Sequence, residues 1–144
     1  MSKRYLLAID QGGSGSRAVI YDPDGHMRGY GYRPVGRVCP QPGWVEQQPS
    51  AIARSVAEAI QQALSRAAVR GHELLACGIT SQRDTIFAWH AVTGRPIGNA
   101  ITWQDLRTAP LVAELDKTPL GPQRRERLGQ FPGAYAGAMH MAWR

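Results

Sequence analysis

A loop of small and polar residues lies between two apolar runs near the start of the chain. The apolar run at residues 5–9 is typical of a buried strand and ends at the carboxylate of Asp10. The loop follows, and a second strand is predicted at residues 18–21. Backbone N–H groups at glycines, with the side chains of Ser14, Ser16 and Arg17, could bind a polyphosphate. Asp10 could hold the Mg²⁺ that accompanies it.

Other phosphate-binding motifs fit this loop less well. A Walker loop needs a lysine, and none occurs between Lys3 and Lys117. Gly13, Gly15 and Ala18 have the spacing of a dinucleotide-binding fingerprint, but that motif must open a helix. Here a short β-branched run follows and ends in a Pro-Gly turn. An ordinary glycine-rich hairpin loop therefore remains the alternative to a phosphate-binding loop.

A second polar stretch, Thr-Ser-Gln-Arg-Asp-Thr at residues 80–85, separates two apolar runs. Open α/β folds bind ligands at such strand ends. Arg83 supplies a fork of donors and Asp84 supplies acceptors, so the two could bracket the hydroxyls of a polyol. The alternative is a structural ion pair. Trp103 could likewise form an aromatic wall for a sugar-like substrate or be a core tryptophan.

The rest of the chain predicts the elements that position these side chains. Apolar residues at helical spacing predict a helix over residues 50–70, with Gly71 just past its end. The near-continuous apolar run at 74–80 is typical of a parallel strand covered on both faces. A strand at 26–33 would complete an antiparallel meander. We predict a further strand at 86–89, a turn at 93–96 that leads to residues 100–103, an irregular crossing at 34–49, and helices at 105–117, 119–129 and 134–144.

Composition limits the class of protein. The 144 residues are 43% hydrophobic and 19% charged, which suits one globular domain. Cys39 and Cys77 form no Cys-x-x-Cys pair and are predicted to be reduced. We find no signal peptide and no apolar run long enough for a membrane span, so we expect a cytoplasmic protein without a membrane partner. The net charge is +6, but most arginines are scattered, which indicates an exposed basic surface and no nucleic-acid partner.

Four ordered motifs together resemble the FGGY carbohydrate kinases, most of all their glycerol kinase branch. The resemblance covers residues 5–110 with few gaps and weakens beyond them. The motifs are Asp-Gln-Gly-Gly-Ser-Gly-Ser-Arg at 10–17, Pro-Gly-Trp-Val-Glu at 42–46, Gly-Ile-Thr-Ser-Gln-Arg-Asp-Thr at 78–85 and Gly-Arg-Pro-Ile-Gly-Asn-Ala-Ile-Thr-Trp-Gln at 94–104.

The resemblance implies an α/β ribonuclease H-like fold, shared with actin and hexokinase, with a mixed sheet flanked by helices. It also implies ATP-dependent, magnesium-assisted phosphorylation of a polyol hydroxyl, with glycerol as the first candidate. By analogy Asp10 would hold the metal, and the phosphates would contact Gly12, Gly13, Ser14, Gly15 and Arg17. The substrate would contact Arg83, Asp84, Trp103 and Tyr135.

This chain departs from the family pattern in sequence and in length. Glycerol kinases usually have threonines at positions 13 and 14, glutamate at 84 and lysine at the position of His140. The shorter Asp84 leaves room for a bulkier polyol. FGGY kinases are also two-domain enzymes several times longer, and their general base and adenosine pocket lie in parts that this chain lacks.

Residues 1–144 are therefore expected to be the N-terminal part of the first domain, inactive or nearly so alone because phosphoryl transfer needs groups from both sides. A kinase for a ketose or pentitol remains the nearest alternative. A non-catalytic module that binds a ligand or a partner protein is another. The oligomeric state stays open, with a homo-oligomer as one option.

Overall fold

The computed structural model describes residues 4–129 and 133–144. The described residues form two compact units: one comprises the residues up to Gly36 together with Pro49–Gln82, and the other comprises Arg37–Gln48 and Arg83–Arg144. The elements in chain order are β1 (Tyr5–Gln11), β2 (Gly15–Tyr21), β3 (Met27–Pro34), β4 (Glu46–Gln47), α1 (Pro49–Ala67), β5 (Leu74–Ser81), β6 (Ala100–Ile101), α2 (Ala109–Asp116), α3 (Leu120–Leu128) and α4 (Gly137–Trp143).

The first unit contains a mixed four-stranded sheet in the order β3-β2-β1-β5. The strands β1, β2 and β3 form the predicted antiparallel meander, and β5 runs parallel to β1. Asp22 and Gly25 close the turn between β2 and β3, since the Gly25 N–H donates to the Asp22 carbonyl at 3.0 Å and Gly25 has a positive φ of 82°. The mixed α/β architecture predicted from the sequence is confirmed.

Helix α1 packs against one face of this sheet. The core beneath it is built from alternate residues of the strands and from small helix residues, namely Tyr5, Leu7, Ile9, Ala18, Ile20, Ala59, Ala63 and Val69. Gly31 makes the close packing with β3 possible, because a Cβ atom there would overlap the Ala59 carbonyl oxygen. The strand β1 is buried only on this face: Leu6 is 43% exposed, although the apolar run predicted a fully buried strand.

Helix α1 ends earlier than the sequence predicted. The predicted helix ran to Arg70 with Gly71 past its end, but the helix stops at Ala67 and Ala68 takes the left-handed conformation, with φ of 52°. The Val69 N–H donates to the Leu64 carbonyl at 3.1 Å, and the Ala68 N–H donates to the Ser65 carbonyl at 3.2 Å. These bonds form a Schellman motif, which can end a helix without glycine when the two carbonyls are satisfied.

The strand β5 is confirmed as a parallel strand, but its predicted burial on both faces is wrong. Leu75 is 59% exposed and Ile79 is 69% exposed. The reason is position: β5 is the last strand in the order of this sheet. An apolar run thus identified the strand and its direction, but it did not show what covers the strand.

The second unit has little sheet. The strands β4 and β6 pair antiparallel over two residues each. The predicted strand at 86–89 is wrong as a strand, since Ile86 and Trp89 form only isolated bridges with Ile101 and Pro96. The predicted helix at 105–117 begins only at Ala109, and α3 and α4 lie inside their predicted ranges. None of the helices in the described parts of the chain is long and apolar enough to span a membrane.

Candidate functional site

The predicted phosphate loop is a tight turn between β1 and β2, not the start of a helix. Asp10 is the residue before the last of β1, and its neighbours across the sheet are Arg17 on β2 and Thr80 on β5. The carboxyl ends of β1 and β5 therefore lie at the same edge of the sheet. This is the edge at which open α/β sheets bind ligands.

The turn itself uses some of the groups that could bind phosphate. The Gly12 N–H donates to the Gly15 carbonyl at 2.9 Å. The Ser14 carbonyl accepts from the Val35 N–H at 3.0 Å and from the Tyr32 hydroxyl at 3.2 Å. Glycine is required at position 15 because a Cβ atom there would lie 2.5 Å from the Arg33 carbonyl oxygen. The glycines are thus needed for the shape of the hairpin, whether or not the turn binds phosphate.

Ser16 is not available as a phosphate donor, which corrects that part of the sequence prediction. Its side chain is fully buried, and its Oγ lies 2.8 Å from Oγ of Ser55 on α1. Ser55 donates its own hydroxyl hydrogen to the Ile52 carbonyl at 2.7 Å, so Ser16 is the donor of the shared bond. Alternation along β2 explains this result, because Ser16 points to the core face and Arg17 to the other.

Asp10 and Arg17 form an exposed ion pair. Nη1 of Arg17 donates to Oδ2 of Asp10 at 3.1 Å, and each side chain is about half exposed. A single exposed carboxylate suits Mg²⁺ that arrives with phosphate oxygens and water, because this ion rarely takes an all-protein cage. The one cluster of three possible metal ligands in the described residues, Asp22, Asp24 and His26, lies elsewhere, at the exposed turn after β2.

The second unit contains all four predicted substrate residues. Arg83 follows β5, and within the described residues its side chain makes no hydrogen bond or ion pair. Asp84 has a positive φ of 55°, and its Oδ1 accepts from the Gly137 N–H at 3.3 Å. The structural ion pair between Arg83 and Asp84, offered as the alternative, does not form.

The two aromatic residues also face solvent. Trp103 is 49% exposed and follows β6, so it is not a core tryptophan. Tyr135 is 42% exposed and lies two residues before α4. The Thr108 hydroxyl donates to the Ala134 carbonyl at 2.8 Å and so fixes the backbone beside Tyr135. Asp84 and Tyr135 therefore lie on segments that meet at the start of α4.

Sequence reasoning missed a buried charged cluster centred on Arg107. Nη2 of Arg107 donates to Glu46 at 2.7 Å and to Asp105 at 2.8 Å, and only 3% of the arginine side chain is exposed. Its Cζ lies 3.7 Å from the ring centroid of Trp44 and 4.8 Å from that of Trp143. The sequence signal for this cluster was the Pro-Gly-Trp-Val-Glu motif, which contains Glu46. Its partner Arg107 is 61 residues away, so the motif did not identify the pair.

This cluster lines a cavity of about 640 Å³. None of the four predicted substrate residues lines that cavity. Arg144 donates hydrogen bonds to the carbonyls of Ile97 and Asn99 on the cavity wall. Other residues than those selected from the sequence thus line the cavity.

Hydrogen bonds and burial shift the pKa values of the buried groups in this unit. Burial raises the pKa of Asp105, but hydrogen bonds from the side chain and backbone of Arg107 and from the Val45 N–H outweigh it and lower the pKa below 3.8. Burial lowers the pKa of Arg107, and its bonds to Asp105 and Glu46 outweigh that effect and raise it. Both groups are therefore charged at neutral pH.

The comparisons with known proteins agree with this geometry. Residues 5–144 match the N-terminal domain of the FGGY family of carbohydrate kinases. This chain belongs to the FGGY family. Glycerol kinases of Symbiobacterium thermophilum and Paracidovorax citrulli are 43% and 41% identical to it, over 99% and 96% of this chain. The chain spans less than a third of these relatives, 29% and 28% of their lengths.

Solved structures of FGGY kinases show the same fold. The glycerol kinase of Plasmodium falciparum with ADP has a TM-score of 0.86 and 25% identity, over 98% of this chain and 28% of its own. The gluconate kinase of Lactobacillus acidophilus has a TM-score of 0.88 and 20% identity, over 99% of this chain and 28% of its own. The actin- and hexokinase-like ATPase fold, which the family resemblance implied, is therefore confirmed.

Proposed function

We propose that this chain is the N-terminal part of the first domain of an ATP-dependent polyol kinase that phosphorylates glycerol. One observation carries the proposal: relatives at about 40% identity along nearly the whole chain are glycerol kinases. The same residues that the motifs selected for substrate are exposed polar or aromatic side chains. We place the protein in the cytoplasm, where its relatives' substrates and ATP would meet.

The nucleotide phosphates would bind at the turn after β1. Asp10 would hold Mg²⁺ with its exposed carboxylate, and when bound the ion would neutralise charge on the phosphates. Arg17 would add a donor that is already directed toward this carboxylate. The main chain at Gly13, Ser14 and Gly15 would supply the remaining contacts. The Gly12 N–H is engaged within the hairpin, so its part is to hold the loop closed.

The polyol would bind at the segments that meet near the start of α4. Within the described residues the Arg83 side chain makes no hydrogen bond, and its planar fork would donate to two hydroxyls. Asp84 would accept a hydrogen bond from a substrate hydroxyl at Oδ2, because Oδ1 already accepts one from the Gly137 N–H. Trp103 would pack on the carbon chain, and Tyr135 would add a hydroxyl group at the edge of the site.

This chain alone should be inactive or nearly so. Phosphoryl transfer requires charge neutralisation and positioning on both sides of the reacting groups, and a base that orients the attacking hydroxyl. The residues selected here bind and orient but include no such base. The missing groups would come from regions that the longer relatives have.

A bulkier polyol or a ketose is the second candidate substrate. The observation that favours it is the short Asp84 side chain, whose Oδ1 accepts a hydrogen bond from the Gly137 N–H. A glutamate would extend one methylene further into the site. A pentitol or ketose would fill the difference with its own carbons.

Steady-state kinetics would test the proposal on any longer protein that contains this chain, with the 144-residue chain assayed in parallel. We expect glycerol-dependent ADP formation by the longer protein and none by the short chain. The Arg83→Ala variant should raise KM for glycerol by about tenfold or more, because a hydrogen bond from a charged donor to the substrate contributes roughly 1.5 to 3 kcal/mol.

Arg95→Ala is the matched control, since Arg95 is an exposed arginine of the same unit. It should leave KM unchanged. Higher kcat/KM for a pentitol or ketose would favour the second substrate. Absence of turnover with every polyol and absence of ATP binding in calorimetry would reject the kinase proposal and favour a non-catalytic module.

A further inference from the structure

His140 is a fully buried histidine on α4 that the phosphorylation mechanism does not use. Neither ring nitrogen has a hydrogen-bond partner within residues 4–129 and 133–144. Buried polar groups are nearly always satisfied, and each exception needs an explanation. The two nitrogens therefore mark a place where the packing of this unit depends on the protonation state of one side chain.

The surroundings of His140 connect two predicted substrate segments. The backbone carbonyls of Asp84 and Asp105 lie beside its ring. Asp84 is itself a predicted substrate residue, and Asp105 lies two residues after Trp103. One helical turn before His140, the Gly137 N–H holds Oδ1 of Asp84 at 3.3 Å. A single turn of α4 thus contacts the Asp84 segment at two points.

We propose that His140 is a pH-sensitive positioning residue for the polyol site. While its ring is neutral it packs beneath the Asp84 and Trp103 segments and keeps the Asp84 carboxylate bonded to Gly137. Protonation loosens this packing, releases the carboxylate and weakens polyol binding. The last step rests on the proposed function, whereas the coupling between His140 and Gly137 does not.

The charges around the ring determine the direction of the effect. Burial lowers the pKa of His140 below 6.5, and Arg107 lowers it further. The Asp105 carboxylate and the two carbonyls act in the opposite direction but do not outweigh burial. The neutral ring therefore predominates at neutral pH, and protonation requires a lower pH than for an exposed histidine.

The neutral ring carries one N–H donor, so it can satisfy at most one of the two carbonyls. The protonated ring could donate to both carbonyls, but it brings a second cation close to Arg107. We expect either change, the new hydrogen bonds to the carbonyls or the repulsion from Arg107, to move the Asp84 segment relative to α4. Because Asp84 already has a left-handed backbone, a small change there redirects its carboxylate.

NMR titration of the 144-residue chain from pH 7.5 to 5 would test the coupling. The four histidines are resolved by their ring signals, and His140→Gln identifies the signal of His140. We expect the His140 ring to titrate below 6.5 and the Gly137 amide signal to move with the same midpoint. In His140→Gln the Gly137 amide should be constant over this range.

His72→Gln is the matched control, because His72 is exposed and belongs to the other unit. It should leave the Gly137 titration unchanged. A Gly137 amide that does not move, or that moves equally in His140→Gln, would overturn the proposal. If that variant does not fold, His26→Gln, His72→Gln and His90→Gln assign the His140 signal by elimination, and the comparison of the two midpoints in the unaltered chain then decides the question.

A glycerol titration at pH 7.5 and pH 5.5 would test the consequence for binding. We expect the dissociation constant to rise by about two- to threefold at the lower pH, and by reciprocity saturating glycerol should lower the pKa of His140. Affinity that is equal at both pH values would overturn this step. Failure of glycerol to bind at either pH, with the Gly137 titration intact, would count against the proposed substrate and not against the coupling.

Discussion

The guanidinium of Arg107 lies over the indole ring of Trp44, with 3.7 Å between Cζ and the ring centroid. The same arginine binds Asp105 and Glu46 in a nearly solvent-free position. A buried cation with two carboxylates and an aromatic face is stable only as a complete group, because removal of one member leaves the others uncompensated.

Arg107→Ala should therefore lower the free energy of unfolding by about 3 to 5 kcal/mol. Urea denaturation followed by tryptophan fluorescence would measure the loss. Lys117→Ala is the control: Lys117 pairs with Glu114 on the surface, and its removal should cost less than about 1 kcal/mol. Similar losses in the two variants would show that the Arg107 cluster does not stabilise this unit.

Stability should depend on acidic pH through Asp105. Its pKa is lowered below 3.8 in the folded chain, since hydrogen bonds from Arg107 and Val45 outweigh the effect of burial. An unfolded chain then binds the proton first, so this contribution is present above 3.8 and is lost as pH falls through the lowered pKa. Urea midpoints measured from pH 6 to 3 should fall more steeply in the unaltered chain than in Asp105→Asn.

His140 contributes in the same direction but in a higher range. Its lowered pKa means that the unfolded chain takes up a proton as pH falls below 6.5, so stability declines from there toward the folded pKa. Glu114→Gln is the control for both groups because Glu114 is exposed. If Asp105→Asn and Glu114→Gln give parallel curves, Asp105 is not the responsible carboxylate.

The pair of Asp10 and Arg17 should matter for nucleotide binding and little for folding. An exposed ion pair contributes about 0 to 1 kcal/mol, so Asp10→Asn and Arg17→Ala should unfold close to the unaltered chain. If the turn binds Mg²⁺ with a nucleotide, both variants should weaken that binding by about tenfold in calorimetry. Arg4→Ala is the control, because Arg4 is an exposed arginine directly before β1. Unchanged affinity in both variants would reject the turn as the phosphate site.

Replacement of Ala68 by glycine should stabilise the chain. Ala68 has φ of 52° at the end of α1, where a Cβ atom is unfavourable and glycine is not. We expect an increase of about 0.5 to 1 kcal/mol in the free energy of unfolding. Ala53→Gly, on the exposed side of α1, should instead cost about 1 kcal/mol. A loss in Ala68→Gly would mean that the end of the helix is held by other contacts.

The sequence pattern predicted an element well where the spacing of apolar residues alone determines whether it is a helix or a strand. The spacing of Val56, Ile60 and Ala63 gave α1, because an apolar stripe at helical period has one stable solution. Its end could not be read, since a Schellman motif at Ala68 depends on satisfied carbonyls and not on glycine. The predicted start of α2 was also wrong. The Asp105 carboxylate accepts hydrogen bonds from Arg107 and from the Val45 N–H, and the second of these partners is distant in sequence.

The candidate site was predictable only in its short-range parts. Arg83, Asp84 and Trp103 were selected because a polar or aromatic residue follows an apolar strand, and their role in substrate binding stays a prediction. Ser16 was misassigned because the sequence does not say which face of β2 contacts α1. Arg107 was missed because its partners Glu46 and Trp44 lie some sixty residues away, and no local pattern joins them.

In the described parts of the chain β5 pairs only with β1, and its other edge, which has no strand partner there, has a consequence for handling this chain. Its backbone groups and the exposed Ile79 form a template that another extended segment can join by main-chain hydrogen bonds. Concentrated samples of the 144-residue chain should therefore self-associate through strand addition. Ile79→Lys should suppress that association. Light scattering measured as a function of protein concentration would follow it.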